Sequence, residues 1–194
     1  MLTTSTPDDP SRASGLDATI LQVRRLLDAL GGAGNAADWG AATHLLGLAA
    51  DLFGRAQVAE VEQIVGRRFD LPDRGQALTP RLELWRLDSM GAVGTTTFGR
   101  FHLGSNGAAH GGSVSLLFDE LMGHIIEARG TRARTAYLTT QYRSITPIDT
   151  ALNVEATVDH VERRKVFISA TIRRDEVLCA EAEALFVELR PGQP

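Results

Sequence analysis

Apolar residues recur with a helical period in the first third of the chain and with a period of two in the last half. Leu16, Ile20, Val23, Leu26, Leu27 and Leu30 fall on one helical face, and Gly31-Gly32 ends the run. A second helical stretch is predicted from about Ala36 to Val65, with Leu45, Leu48, Leu52, Val58, Val61 and Val65 as its apolar stripe and a break near Gly47 or Gly54. Residues 67–80 are polar and carry Pro72, Gly75 and Pro80, which reads as a connector. Strands are then expected from Leu82 and Leu84 and over Ala92 to His102, followed by a helix from Ser113 to about Ala128. Four further strand runs follow: Ala133 to Arg143, Leu152 to Val161, Val166 to Arg173 and Val177 to Leu189. In the second of these, Leu152, Val154, Ala156 and Val158 alternate with Asn153, Glu155, Thr157 and Asp159, the mark of a half-buried antiparallel strand.

The order β-β-α-β-β-β-β is most economically an α+β domain in which an antiparallel sheet wraps one central helix, because that helix is apolar around most of its circumference. The division of the chain follows. Residues 1–15 are expected to be a disordered tail, 16–80 a helical N-terminal extension and connector, and 81–190 the domain proper. The two leading helices need a surface to pack on, either as a cap on the domain or as a dimer contact. A DNA-binding helix pair or a lid over an acyl chain are the other readings.

Composition removes several function classes. A net charge of −4 argues against a general binder of nucleic acid or anionic membrane, and Ala36 to Val65 holds one arginine and no lysine, too little for a DNA-recognition face. The single cysteine, Cys179, lies in an apolar run and excludes a disulfide within the chain, so a buried thiol in a reducing cytoplasm is expected. The first fifteen residues have no apolar core of a signal peptide, and no segment reaches membrane-spanning length. His44, His102 and His160 form no metal-ligand pattern, so no metal or other cofactor is expected.

The chemistry concentrates in Ala109 to Gly123, A-H-G-G-S-V-S-L-L-F-D-E-L-M-G. His110, Gly111 and Gly112 stand at a helix start, where unpaired N–H groups and partial positive charge suit an oxyanion and glycines admit close approach. Asp119 sits among Leu116, Leu117, Phe118, Leu121 and Met122, where a carboxylate is costly without a partner or a task. His110 and Asp119 are nine residues apart, roughly 13 Å along one helix and on opposite sides of it, so two-fold symmetry is the simpler way to bring such groups together. Glu120 points about 100° away from Asp119 and is expected at solvent or an interface.

These motifs resemble the hotdog-fold acyl-CoA thioesterases of the PaaI-like group, in the branch with an H-G-G-x6-D helix. The resemblance spans about Ala92 to Leu189. Besides that helix it includes Arg134-Thr135-Ala136-Tyr137-Leu138, the run from Tyr142 to Ile148, and the run from Val161 to Ile168. It implies a cytoplasmic enzyme of fatty-acid metabolism, dimeric or tetrameric with shared sites, that hydrolyses acyl-CoA to a free acid and CoA. Asp119 would be the nucleophile or general base. Gly111 and Gly112 would polarise the carbonyl, Thr135 would assist the water or the acid, and His110 would fix the loop. Arg164 and Lys165 match positions of the CoA phosphate grip. The family's asparagine, six residues before the histidine, is replaced by Gly104, and Asn106 is the nearby candidate for substrate contact.

Two alternatives belong to other classes. An acyl-CoA-binding regulator would have little use for a buried Asp119. A hotdog hydratase would use Asp119 with His124, but the two lie about 140° apart on a continuous helix without the intervening Asn-Pro turn.

Overall fold

A computed structural model describes residues 10–71, 73–190 and 192–193, with side chains from residue 15 onward. The leading helices are α1 (Pro10–Gly31) and α2 (Trp39–Gly54), followed by one 3-10 turn at Glu60–Glu62. Residues 10–15, part of the expected tail, are the beginning of α1; residues 1–9 lie outside the described residues. The second helix passes through Gly47 and ends at Gly54, so it is shorter than its apolar stripe predicts. Asp38 caps its start by accepting the Ala41 N–H at 2.9 Å.

The strands are β1 (Leu82–Asp88), β2 (Gly91–Thr97), β3 (Leu103–Ser105), β4 (Ala108–Ala109), β5 (Ala133–Tyr142), β6 (Ala151–Glu162), β7 (Lys165–Arg174) and β8 (Val177–Glu188), with α3 (Gly111–Ala128) between β4 and β5. Six of them form an antiparallel sheet in the order β1-β2-β6-β7-β8-β5. The strand expected over Ala92 to His102 is divided. It stops at Thr97, and a 3-10 turn (Arg100–His102) leads into the small β3-β4 hairpin. Asn106 and Gly107 form the tip of that hairpin, both at positive φ (50° and 73°), a conformation asparagine and glycine tolerate best.

The sheet curls around α3 because the side chains alternate as predicted. Leu152, Val154, Ala156 and Val158 of β6 and Val166, Ile168, Ala170 and Ile172 of β7 all face inward and are at most 4% exposed. On β8 the inward positions include the small residues Ala180, Ala182 and Ala184, which leave room for Leu117, Phe118 and Leu121 of α3. Those three side chains have no exposed surface, so truncating any one should cost roughly 2–5 kcal/mol. Cys179 is a buried free thiol. This is the hotdog arrangement, α+β, with helices N-terminal to it.

Connector and helical extension are tied to the domain by charge. Arg24 of α1 pairs with Asp73 at 3.2 Å and donates to the carbonyls of Gln76 and Thr79 at 2.7 and 2.8 Å. The residue after Asp73, Arg74, crosses to α3 and binds Glu120.

Candidate active site

The start of α3 is capped by His110, whose Nδ1 accepts the Gly112 N–H at 3.0 Å. Of the two glycine N–H groups predicted to face an oxyanion, the Gly112 group is therefore engaged. The Gly111 N–H meets no acceptor among the described residues. It is the open donor at the positive end of an eighteen-residue helix.

Tyr142, at the end of β5, covers this helix start. Its hydroxyl donates to the Gly111 carbonyl at 2.8 Å and lies 3.2 Å from Ser115 Oγ, which in turn is 3.0 Å from Thr140 Oγ1. A Cβ on Gly111 would stand 3.0 Å from the Tyr142 hydroxyl, tighter than ordinary packing, so this position calls for glycine. Tyr142 lies in a motif of the resemblance, but its role was not legible. A tyrosine on an edge strand gives no signal of the helix it will reach.

Two turns further along α3, Asp119 is half-buried and Oδ1 accepts the Thr135 hydroxyl at 2.8 Å. A β-bulge helps aim Thr135: it pairs with Phe186, while Tyr137 pairs with Leu185, so Ala136 is the extra residue on β5. The predicted Asp119–Thr135 partnership is thus formed within one chain.

Glu120 is the carboxylate that the fold encloses, against the expectation of an exposed or interface residue. It is 8% exposed and takes an ion pair from Arg74, whose second nitrogen donates to Oε2 at 2.6 Å. Burial raises its pKa, and the Arg74 guanidinium opposes that shift. His124, one turn on, is 6% exposed, stands 3.6 Å from Glu120 and meets the edge of Phe69. Burial and then the Arg74 charge lower its pKa to about 4. It belongs to the Glu120 side of α3 and makes no bond to Asp119, so the hydratase dyad does not form.

Other predicted residues are spread around the sheet. Asn106 is an exposed turn residue and bonds to none of His110, Gly111 or Asp119; its backbone explains its identity. Arg164 is half-buried and spends one nitrogen on the Glu188 carbonyl at 2.8 Å, tying the β6-β7 turn to β8. Lys165 is exposed, and its register gives it a second significance. Lys165 pairs with Val187, which pairs with Arg134, while the next row is Val166, Phe186 and Thr135. The cations therefore lie on the outer face of the sheet, one residue from the row that faces Asp119. Arg132 and Arg134 also border a cavity of about 620 Å³ with Gly123, one turn beyond Asp119. Among the described residues, no group of three His, Cys, Asp or Glu side chains could hold a metal, and no helix is long and apolar enough to cross a membrane.

Known proteins resemble this chain in sequence and in fold. Residues 106–181 match the family model of the Thioesterase superfamily, a span that includes His110, Gly111, Asp119, Thr135, Arg164 and Lys165. Acyl-coenzyme A thioesterase THEM4 of Mus musculus is 34% identical over 99 residues, 50% of this chain and 43% of that protein. The THEM4 of Xenopus laevis is 34% identical over 90 residues, 45% of this chain and 40% of that one, so the match spans less than half of either relative's length. The solved structure of RHA08564, a thioesterase superfamily protein, superposes with a TM-score of 0.74 at 26% identity, covering 89% of this chain and 94% of that one. A hypothetical thioesterase protein from Streptococcus pneumoniae, solved with coenzyme A, has a TM-score of 0.53 at 20% identity over 56% of this chain and 88% of its own, a likeness of fold alone. Residues 106–181 are thus similar in sequence to the Thioesterase superfamily, within a chain of hotdog fold.

Proposed function

We propose that this protein is an acyl-CoA thioesterase that hydrolyses its substrate to a free carboxylic acid and CoA. The observation that carries the reading is Asp119 bonded to Thr135, on the same helix whose first N–H, at Gly111, has no acceptor among the described residues. Attack on a thioester carbonyl places negative charge on its oxygen, and a fixed N–H at a helix start stabilises that charge without reorganisation. Asp119 then takes the proton of an attacking water held by the Thr135 hydroxyl, or attacks directly to give a mixed anhydride that water opens. In either route, C–S cleavage expels the CoA thiolate, which leaves protonated as the thiol.

Gly111 and Asp119 cannot serve one carbonyl within a chain, since eight residues of continuous helix separate them by about 12 Å. A homodimer that runs two α3 helices antiparallel brings the Gly111 end of one subunit to the Asp119 of the other. The unpaired outer edge of β5, with its largely exposed side chains, supports that arrangement, and a pair of dimers extends it to a tetramer. His110 acts by capping the helix that presents Gly111. Lys165, with the free part of Arg164 and the in-register Arg134, would receive CoA phosphates. Asn106 would contact substrate only from the hairpin tip. A cytoplasmic setting rests on the lone, buried thiol of Cys179.

The test is free-thiol release from a panel of short, medium, long and aromatic acyl-CoAs. Hydrolysis of at least one member well above background is expected; no release from any, by folded protein, would shift the reading to an acyl-CoA-binding regulator.

A further inference from the structure

Helix α2 has no buried residue, although it is one of the most apolar segments of the chain. Trp39, Leu45, Leu48, Leu52 and Phe53 are between 47% and 67% exposed, and Val61 in the segment that follows is 79% exposed. The side-chain bonds of α2 are local: Asp38 to Ala41, Thr43 to Trp39 and Gln57 to Phe53. Its apolar side chains fill one broad face of the helix, and Thr43, His44, Asp51 and the glycines share the other, the pattern of an element that lays one face on a partner.

We infer that α2 and the segment to Val65 form an arm that docks on a second copy of this chain. Three observations choose that occupant. The six side chains named leave on the order of 600 Å² uncovered, most of the roughly 800 Å² that each partner contributes to a standard interface. The helix contains neither lysine nor arginine, which an anionic lipid surface or a nucleic acid would require. The arm also adjoins the β5 edge, because Glu60, Gly66 and Arg67 border the same cavity as Arg132, Ala133 and Arg134. An arm rooted beside the edge at which two chains meet can reach across to the other subunit, and two-fold symmetry repeats the contact. That placement rests on the β5-edge dimer proposed above, but not on catalysis.

The test uses the full chain with a benzoylphenylalanine photo-crosslinker replacing Leu48, in a mixture of ¹⁴N- and ¹⁵N-labelled protein. Crosslinked peptides joining a light and a heavy chain are the expected result. Crosslinks confined to one chain, or none at all, would overturn the inference. In parallel, L45D/L48D/L52D should weaken self-association by about tenfold or more in sedimentation equilibrium. Since these residues are exposed in their own chain, circular dichroism should show an intact hotdog domain. A dimer of unchanged affinity in this variant would remove the arm and keep the β5-edge pairing, whereas a wild-type chain that stays monomeric at every concentration would remove both.

Discussion

Asp119 and Glu120 are consecutive carboxylates that α3 sends to different partners. Asp119 is half-buried and receives the Thr135 hydroxyl at 2.8 Å, whereas Glu120 is 8% exposed and holds the Arg74 guanidinium. Thr135 is a neutral partner on the sheet edge, and Arg74 is a cation delivered by the connector. Glu120 docks the connector, and Asp119 is the carboxylate proposed for the chemistry.

Conservative amides should separate these roles. E120Q removes the charge that binds Arg74, and because Arg74 is about a quarter exposed the loss should be moderate, about 1–3 kcal/mol in urea unfolding. Most of the turnover should survive. Equal loss of turnover in E120Q and D119N would show that the two residues act together.

Acid stability should report on His124. Its folded-state pKa, about 4, lies below the ordinary value of 6.5, so the unfolded chain binds the proton first as pH falls. Stability should therefore drop between pH 6.5 and pH 4, by up to about 3 kcal/mol from this residue. Glu120 works in the opposite sense. Its raised pKa makes the folded state the stronger proton binder above pH 4.5, so acidification of the wild type is partly offset. Denaturation of H124Q across this range should show a shallower acid loss than the wild type; parallel curves would rule out the buried imidazole as the cause.

His110 should matter to the helix before it matters to chemistry. H110A deletes the acceptor of the Gly112 N–H and should lower stability by about 1 kcal/mol, while H110N, which supplies another side-chain acceptor, should recover most of it. Equal melting temperatures for wild type and H110A would show that the cap contributes nothing.

Tyr142 and Gly111 should behave as a pair. Y142F removes the 2.8 Å bond to the Gly111 carbonyl and should cost about 1 kcal/mol of stability. G111A sets a methyl 3.0 Å from the same hydroxyl and should reduce kcat by about tenfold or more through displacement of the open N–H. A G111A enzyme with unchanged kcat would remove Gly111 from the oxyanion site.

Much of this arrangement was legible in the sequence because periodicity reports burial. The alternation from Leu152 to Val158 determines which face of β6 meets the core and runs as predicted, and the helix expected from Ser113 to about Ala128 is present as α3, starting two residues earlier. The Asp119–Thr135 pair was legible only through the resemblance, since sixteen residues and a bulge separate them in the chain. Glu120 was misjudged because its partner, Arg74, lies 46 residues away in a connector whose polarity reads as a loop. The division of the strand after Thr97 was missed as well. Asn106-Gly107 signals a turn, but the short β3-β4 hairpin it closes has too few residues to establish a period.

Free-thiol release by wild type and D119N, on the best acyl-CoA of the panel, decides whether Asp119 drives thioester hydrolysis. A loss of roughly 100-fold or more in kcat is expected, with D119N folded and self-associating like the wild type. A D119N enzyme that hydrolyses the same thioester at the wild-type rate would contradict it.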